Sequence, residues 1–129
     1  MDEGERLKKT IHAPDTERWN RQMQLVRVFD QLIGNVDRNL GNLLITTGWR
    51  IWAIDHTRAF RLTPSLRTPQ NVTRCDRQLF ERMKALDTRT LQRTIGRFMY
   101  TTEIPALLSR RDEIVSIIEK AGPSALFDR

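Results

Sequence analysis

Asp37, Asn42 and Asp55 are the residues of this chain whose types and spacing could do chemistry. They lie in "QLIGNVDRNLGNLLITTGWRIWAIDHTRAF", residues 31–60, with Asn42 five positions after Asp37. Between Asn42 and Asp55 stand two short apolar runs, "LLIT" and "WRIWAI", separated by Thr47-Gly48, and these read as a β-hairpin. A hairpin brings its two ends together, so Asn42 before the first strand and Asp55 after the second are expected to face the same space. An amide oxygen and a carboxylate are hard oxygen ligands suited to Mg²⁺, which takes few protein ligands and fills its shell with phosphate oxygens and water. Asp37, at the other end of the same loop, is placed to orient or deprotonate a hydroxyl nucleophile. In a chain with nine Asp and five Asn this spacing is expected by chance only about 0.02 times.

An Asp, an Asn at the fifth position and a later metal-binding Asp follow the logic of the protein-kinase catalytic loop. The stretch "IGNVDRNLGNLLI…IWAIDHTRAF" resembles the catalytic loop and metal segment of the phosphoinositide 3-/4-kinase superfamily and its atypical-kinase relatives. There an Ile-Gly-x-x-Asp-Arg-x-x-x-Asn loop is followed, after a hairpin, by an Ile-Asp pair. The match runs through Ile33, Gly34, Asp37, Arg38, Asn42, Ile54 and Asp55, and the resemblance covers about residues 25–60. The chain is similar also to small bacterial proteins of that superfamily. The resemblance implies that Asp37 is the catalytic-loop Asp, that Asn42 and Asp55 hold Mg²⁺, and that ATP is the phosphoryl donor. Two positions depart from the pattern: Asn39 stands where the 3-kinase branch usually has His, and His56-Thr57 follows the metal Asp in place of Phe-Gly.

The elements that must position these residues are legible from period and punctuation. Trp19, Met23, Val26, Phe29 and Ile33 recur at helical intervals, widened by Leu25, Val28 and Leu32, and predict a helix over residues 16–33 that Gly34-Asn35 ends. Both hairpin strands are apolar at nearly every position, so both faces are expected to be covered. Residues 57–73 hold two prolines and no period, and read as a long loop. Helical segments are expected over 74–86, 88–99 and 102–120, the last with Thr102 as N-cap and Pro105 in its first turn. The fold class is α+β, mainly helical: a loose leader over 1–15, a kinase-like C-lobe over 16–121 and a loose tail over 122–129.

Several residues have plainer readings. Arg38 is expected to anchor the loop, His56 to be structural, Cys75 to be packed, and Trp49 and Trp52 to lie in the core. "SRRD" at 109–112 reads as the solvated face of the last helix. A calcium loop starting at Asp37 is excluded because its twelfth position, which requires Glu, is Gly48.

The 39% hydrophobic and 29% charged content of 129 residues fits one globular domain with a modest core. One cysteine and two histidines exclude an internal disulfide and zinc-site spacing. With no apolar run of membrane-spanning length, the default compartment is the cytoplasm. The net charge of +6 is concentrated in residues 57–111, which carry twelve Lys/Arg against four Asp/Glu. The Arg-rich loop at 58–67 would suit an anionic head group as acceptor, and a protein or small molecule fits as well.

A kinase also needs a glycine-rich strand pair over the phosphates and a strand Lys held by a helical Glu. Lys8, Lys9 and Gly4 lie in the polar leader. The chain is therefore expected to be a C-lobe incomplete without its N-lobe, which is supplied by another chain, was cut off with the gene fragment, or has been lost. A silent pseudokinase fragment acting through a partner protein is the first alternative. A basic nucleic-acid-binding protein is the second, although no helix-turn-helix or finger signature supports it.

Overall fold

The computed structural model describes residues 1–35, 38–54, 56, 59–99 and 102–128. In chain order these form α1 (Glu3–Lys8), α2 (Thr16–Ile33), β1 (Leu43–Ile45), β2 (Ile51–Ala53), β3 (Cys75–Asp76), α3 (Arg77–Ala85), α4 (Thr88–Ile95), α5 (Glu103–Ala121) and β4 (Leu126–Phe127). Among the described residues the architecture is mainly helical, with one antiparallel hairpin and one short parallel pair. The α+β class is as expected.

Helix α2 starts and stops for reasons visible in the sequence. The Asp15 carboxylate accepts the Arg18 N–H at 3.0 Å, and Gly34 closes the helix in the left-handed region at φ +67°. Its last turn is buried on every side, including the polar Asp30 and Gln31. Phe29, expected on the core stripe, is instead exposed. The main core forms where Val28 and Leu32 of α2 meet Phe80 and Met83 of α3, Leu91 of α4, and Ile104, Leu107, Ile114 and Ile118 of α5. Asp76 and Asp87 cap α3 and α4 through their carboxylates. Thr102 makes no capping bond to α5 and is itself in a helical conformation, so that expected cap is corrected.

The hairpin pairs Leu43 with Ala53, Leu44 with Trp52 and Ile45 with Ile51. Its turn is wider than Thr47-Gly48: Thr46 and Arg50 pair across it, and Trp49 takes the positive φ of 59°. That is the three-residue loop of a type I turn followed by one left-handed residue. Trp49 tolerates the position because its ring meets Trp19 edge-on at 5.8 Å and Gln22 Nε2 donates to its carbonyl at 2.8 Å. Among the described residues, one face of the hairpin is covered and the other is open. Leu43 and Ile45 are buried, whereas Leu44 is exposed and Trp52 is 62% exposed. The expectations of two covered faces and of a core Trp52 are therefore corrected; alternation places every second side chain on the open side.

The two ends of the chain differ from the expected leader and tail. Residues 1–15 include α1, capped by Asp2, with Glu3 buried and bonded twice to Arg6, whose guanidinium lies 5.0 Å over Trp19. Met1 O accepts the Ile45 N–H at 2.8 Å, and Asp2 bridges to Leu44, so the start of the chain blunts the edge of β1. At the other end β4 pairs in parallel with β3, with Ala125 and Phe127 buried.

Residues 59–73 form a long segment with short 3₁₀ character at Pro69–Asn71, pinned between two helices. Leu66 and Val72 enter the core. Gln31 of α2 accepts the Thr68 N–H at 3.2 Å, and Glu113 of α5 accepts the Leu66 N–H at 3.1 Å. The described part of the loop expected at 57–73, residues 59–73, is thus a backbone strap held by side chains, which satisfies polar groups that no ladder would serve.

Candidate functional site

The segment after α2 is built around the Asp30 carboxylate. Arg38 grips it with both arms of its guanidinium, Nε at 2.8 Å from Oδ2 and Nη2 on Oδ1. The buried Asn35 adds Nδ2 to Oδ1 at 3.3 Å, while its N–H bonds the Asp30 carbonyl at 2.9 Å. This fork-on-carboxylate geometry is the strong form of the ion pair, and it lies in largely dry surroundings. Arg38 Nη1 also approaches Ile54 O at 3.5 Å, so one side chain connects α2, the loop and the far end of the hairpin. The anchoring role expected of Arg38 is what the structure has.

Asn39 opens a 3₁₀ turn over Leu40–Asn42 by accepting the Gly41 N–H on its side-chain oxygen at 2.8 Å. The turn delivers Asn42 to the mouth of the hairpin, where its carbonyl accepts the Ile54 N–H at 2.9 Å. Asn42 therefore stands opposite the residue that precedes Asp55 in sequence. Asp37 and Asp55 themselves lie outside the described residues. Strand alternation puts Asn42, Leu44, Trp52 and Ile54 on one side of the hairpin, and the last three are exposed. His56 meets Phe29 edge-on at 6.0 Å, and its buried Nε2 has no hydrogen-bond partner among the described residues. The ring packs against Phe29, in keeping with the structural part expected of it.

Arg110 was missed from sequence. Expected on a solvated face, it is 1% exposed. Its Nε donates to Leu32 O at 3.0 Å, and its Nη1 to Arg61 O at 2.8 Å and Thr63 O at 2.7 Å. Burial alone pushes its pKa down from the ordinary arginine value. A Cβ on Gly34 would meet the Arg110 guanidinium carbon at 3.1 Å, so the glycine of the Ile-Gly pair leaves room for this side chain. The neighbouring Arg111 closes the end of α3, donating to Met83 O at 2.8 Å and Leu86 O at 2.6 Å. The missed signals were positional: Asp30 falls between Val26 and Ile33 on the buried stripe of α2, and Arg110 between Leu107 and Ile114 on that of α5.

No family model, curated protein or solved structure matches this chain.

Of the two residues expected to hold a metal, Asn42 is the one that lies among the described residues, at the hairpin mouth. A tight turn brings the Asn42 backbone there, and Arg38, which also reaches Ile54 O, is committed to Asp30. Among the described residues no cluster of three or more His, Cys, Asp or Glu side chains forms a metal cage. No helix of the described residues is long and apolar enough to cross a membrane.

Proposed function

We propose that the chain is the C-lobe portion of a kinase-like, ATP- and Mg²⁺-dependent phosphotransferase, working with a nucleotide-covering lobe that the described residues do not themselves provide. The observation that carries the reading is the pairing of Asn42 with Ile54 at the hairpin mouth, on the exposed apolar side lined by Leu44 and Trp52. A covering lobe or a purine base would bury that side, since contiguous exposed apolar surface marks an interaction site. Asn42 and Asp55 would hold Mg²⁺, which supplies charge neutralisation of the nucleotide phosphates. Asp37 would orient the acceptor hydroxyl and take its proton as the new oxygen–phosphorus bond forms and the terminal phosphoanhydride bond breaks. Arg38, through Asp30 and Ile54 O, would keep the two ends of this loop in register.

Calorimetry of ATP with and without Mg²⁺, on the parent protein and on Asp55→Ala, tests this. Metal-dependent binding that disappears in the variant is expected, with the reading frame extended upstream supplying the second lobe where the chain alone is silent. Binding that ignores both the metal and Asp55, or silence in the extended protein too, would sink the proposal.

One observation favours a second reading. Trp52 shares a groove with Arg18, Arg21 and Arg50, combining an aromatic platform with positive charge in the way single-stranded nucleic acid is held. Binding of a single-stranded oligonucleotide that falls steeply with salt and needs Trp52 would support it.

A further inference from the structure

The Arg110 guanidinium has five N–H donors, and three are spent on the carbonyls of Leu32, Arg61 and Thr63. The two on Nη2 have no partner among the described residues, although that nitrogen is fully buried. Carbonyl oxygens satisfy donors without cancelling charge, so a full positive charge sits inside the fold with no carboxylate among its hydrogen-bond partners in the described residues. An uncompensated buried charge of this kind is costly. Next to it lies a cavity of about 240 Å³ between the end of α2, residues 61–67 and α5. Arg61 and Arg67 line the cavity with Arg110, alongside Thr63, Ser65 and Asn35. Asp30 also reaches its wall, yet both its oxygens are already taken by Arg38 and Asn35. The lining is thus cationic and rich in hydrogen-bond donors.

We propose that this cavity binds a phosphate group, held by Arg67 and drawn in by the buried charge of Arg110 behind the wall. A phosphate offers several acceptor oxygens and enough negative charge to offset the buried guanidinium, and arginine forks match its geometry. Water filling the cavity carries no net charge and would leave the guanidinium uncompensated. The volume lies below the roughly 300 Å³ at which pockets for whole drug-sized ligands begin, which fits inorganic phosphate or a small phosphomonoester better than a nucleotide. The site needs neither ATP nor Mg²⁺, so it stands or falls independently of the phosphotransfer reading.

The test titrates inorganic phosphate, and separately glycerol 3-phosphate, into the full chain in EDTA at constant ionic strength, followed by calorimetry and by the NMR signal of the Arg110 Nε–H. Saturable binding with movement of that signal is expected. The tighter of the two ligands assigns the source as free phosphate or a phosphorylated small molecule. Arg67→Gln, on the exposed part of the wall, is expected to weaken binding roughly tenfold, the loss of one charge-assisted hydrogen bond. Arg82→Gln, on the exposed side of α3 and outside the cavity, leaves the affinity unchanged. No binding by either ligand, an unmoved Arg110 signal, or equal losses in Arg67→Gln and Arg82→Gln would each overturn the site.

Discussion

Gly34 holds a left-handed backbone, and the Arg110 guanidinium packs within 3.3 Å of where a side chain would begin. Gly34→Ala therefore meets two penalties, one from backbone conformation and one from displacing Arg110, and should destabilise the fold by about 1–3 kcal/mol. Gly48→Ala is the control: its φ is not positive and the nearest atom is 3.8 Å away, so its effect should stay within about 0.5 kcal/mol. Urea unfolding of both variants reads the difference, and equal losses would remove the special role of Gly34. Cys75 gives a pH prediction at the same scale. Burial, with the Asp76 carboxylate beside it, pushes its thiol from 9.0 up to about 12. The folded state therefore keeps a proton that the unfolded chain releases. The contribution is fully present below pH 9 and is lost as pH rises toward 12. Unfolding free energy should fall over that window, and Cys75→Ala should flatten the fall. The spacing of Asp37, Asn42 and Asp55 was legible because it is written in one contiguous stretch. Arg110 was not, because the charge run "SRRD" hides that its second residue continues the stripe of Leu107 and Ile114.

Elements with a strong period or a clear stop were read closely from the sequence. Helix α2 has the expected bounds of 16 and 33, because Asp15 and Gly34 carry its caps locally. The hairpin was found, but its turn and covered face were not, because both depend on α2. Gln22 supplies what the edge of β2 lacks: its Nε2 donates to Trp49 O at 2.8 Å and its Oε1 accepts the Ile51 N–H at 3.0 Å. One side-chain amide thus imitates a neighbouring strand and fixes the angle between the hairpin and the helix. Gln22→Ala removes both bonds and should cost about 1–3 kcal/mol, since net contributions of about 1 kcal/mol per hydrogen bond apply twice. Amide exchange of Ile51 should speed up more than that of the α5 core. Uniform acceleration across the protein would show that Gln22 acts on global stability and not on the hairpin.

At the scale of the whole molecule, the two ends of the chain were misread for one physical reason: both are ordered by partners distant in sequence. Their short segments lack an apolar period, although α1 does carry a local cap in Asp2 and a local Glu3–Arg6 pair. Helix α1 is fixed by Trp19 and by β1, and β4 by a parallel pairing with β3 that spans some fifty residues, Cys75 with Leu126 and Asp76 with Phe127. That pairing closes the helical body, because β3 leads directly into α3 while β4 follows α5. Arg74 reinforces it by lying 5.0 Å over the Phe127 ring. Phe127→Ala empties a buried site and should cost about 3–5 kcal/mol, the range for truncating a core phenylalanine. A loose tail would lose nothing. Because such a loss approaches the whole stability of a small domain, thermal unfolding should move down sharply in one transition. If β4 were instead a peripheral clip, the variant would keep the parent melting temperature and only amides near Cys75 would exchange faster. A single, strongly lowered transition would make the last described residues part of the cooperative core that holds α5, and with it Arg110, against the end of α2.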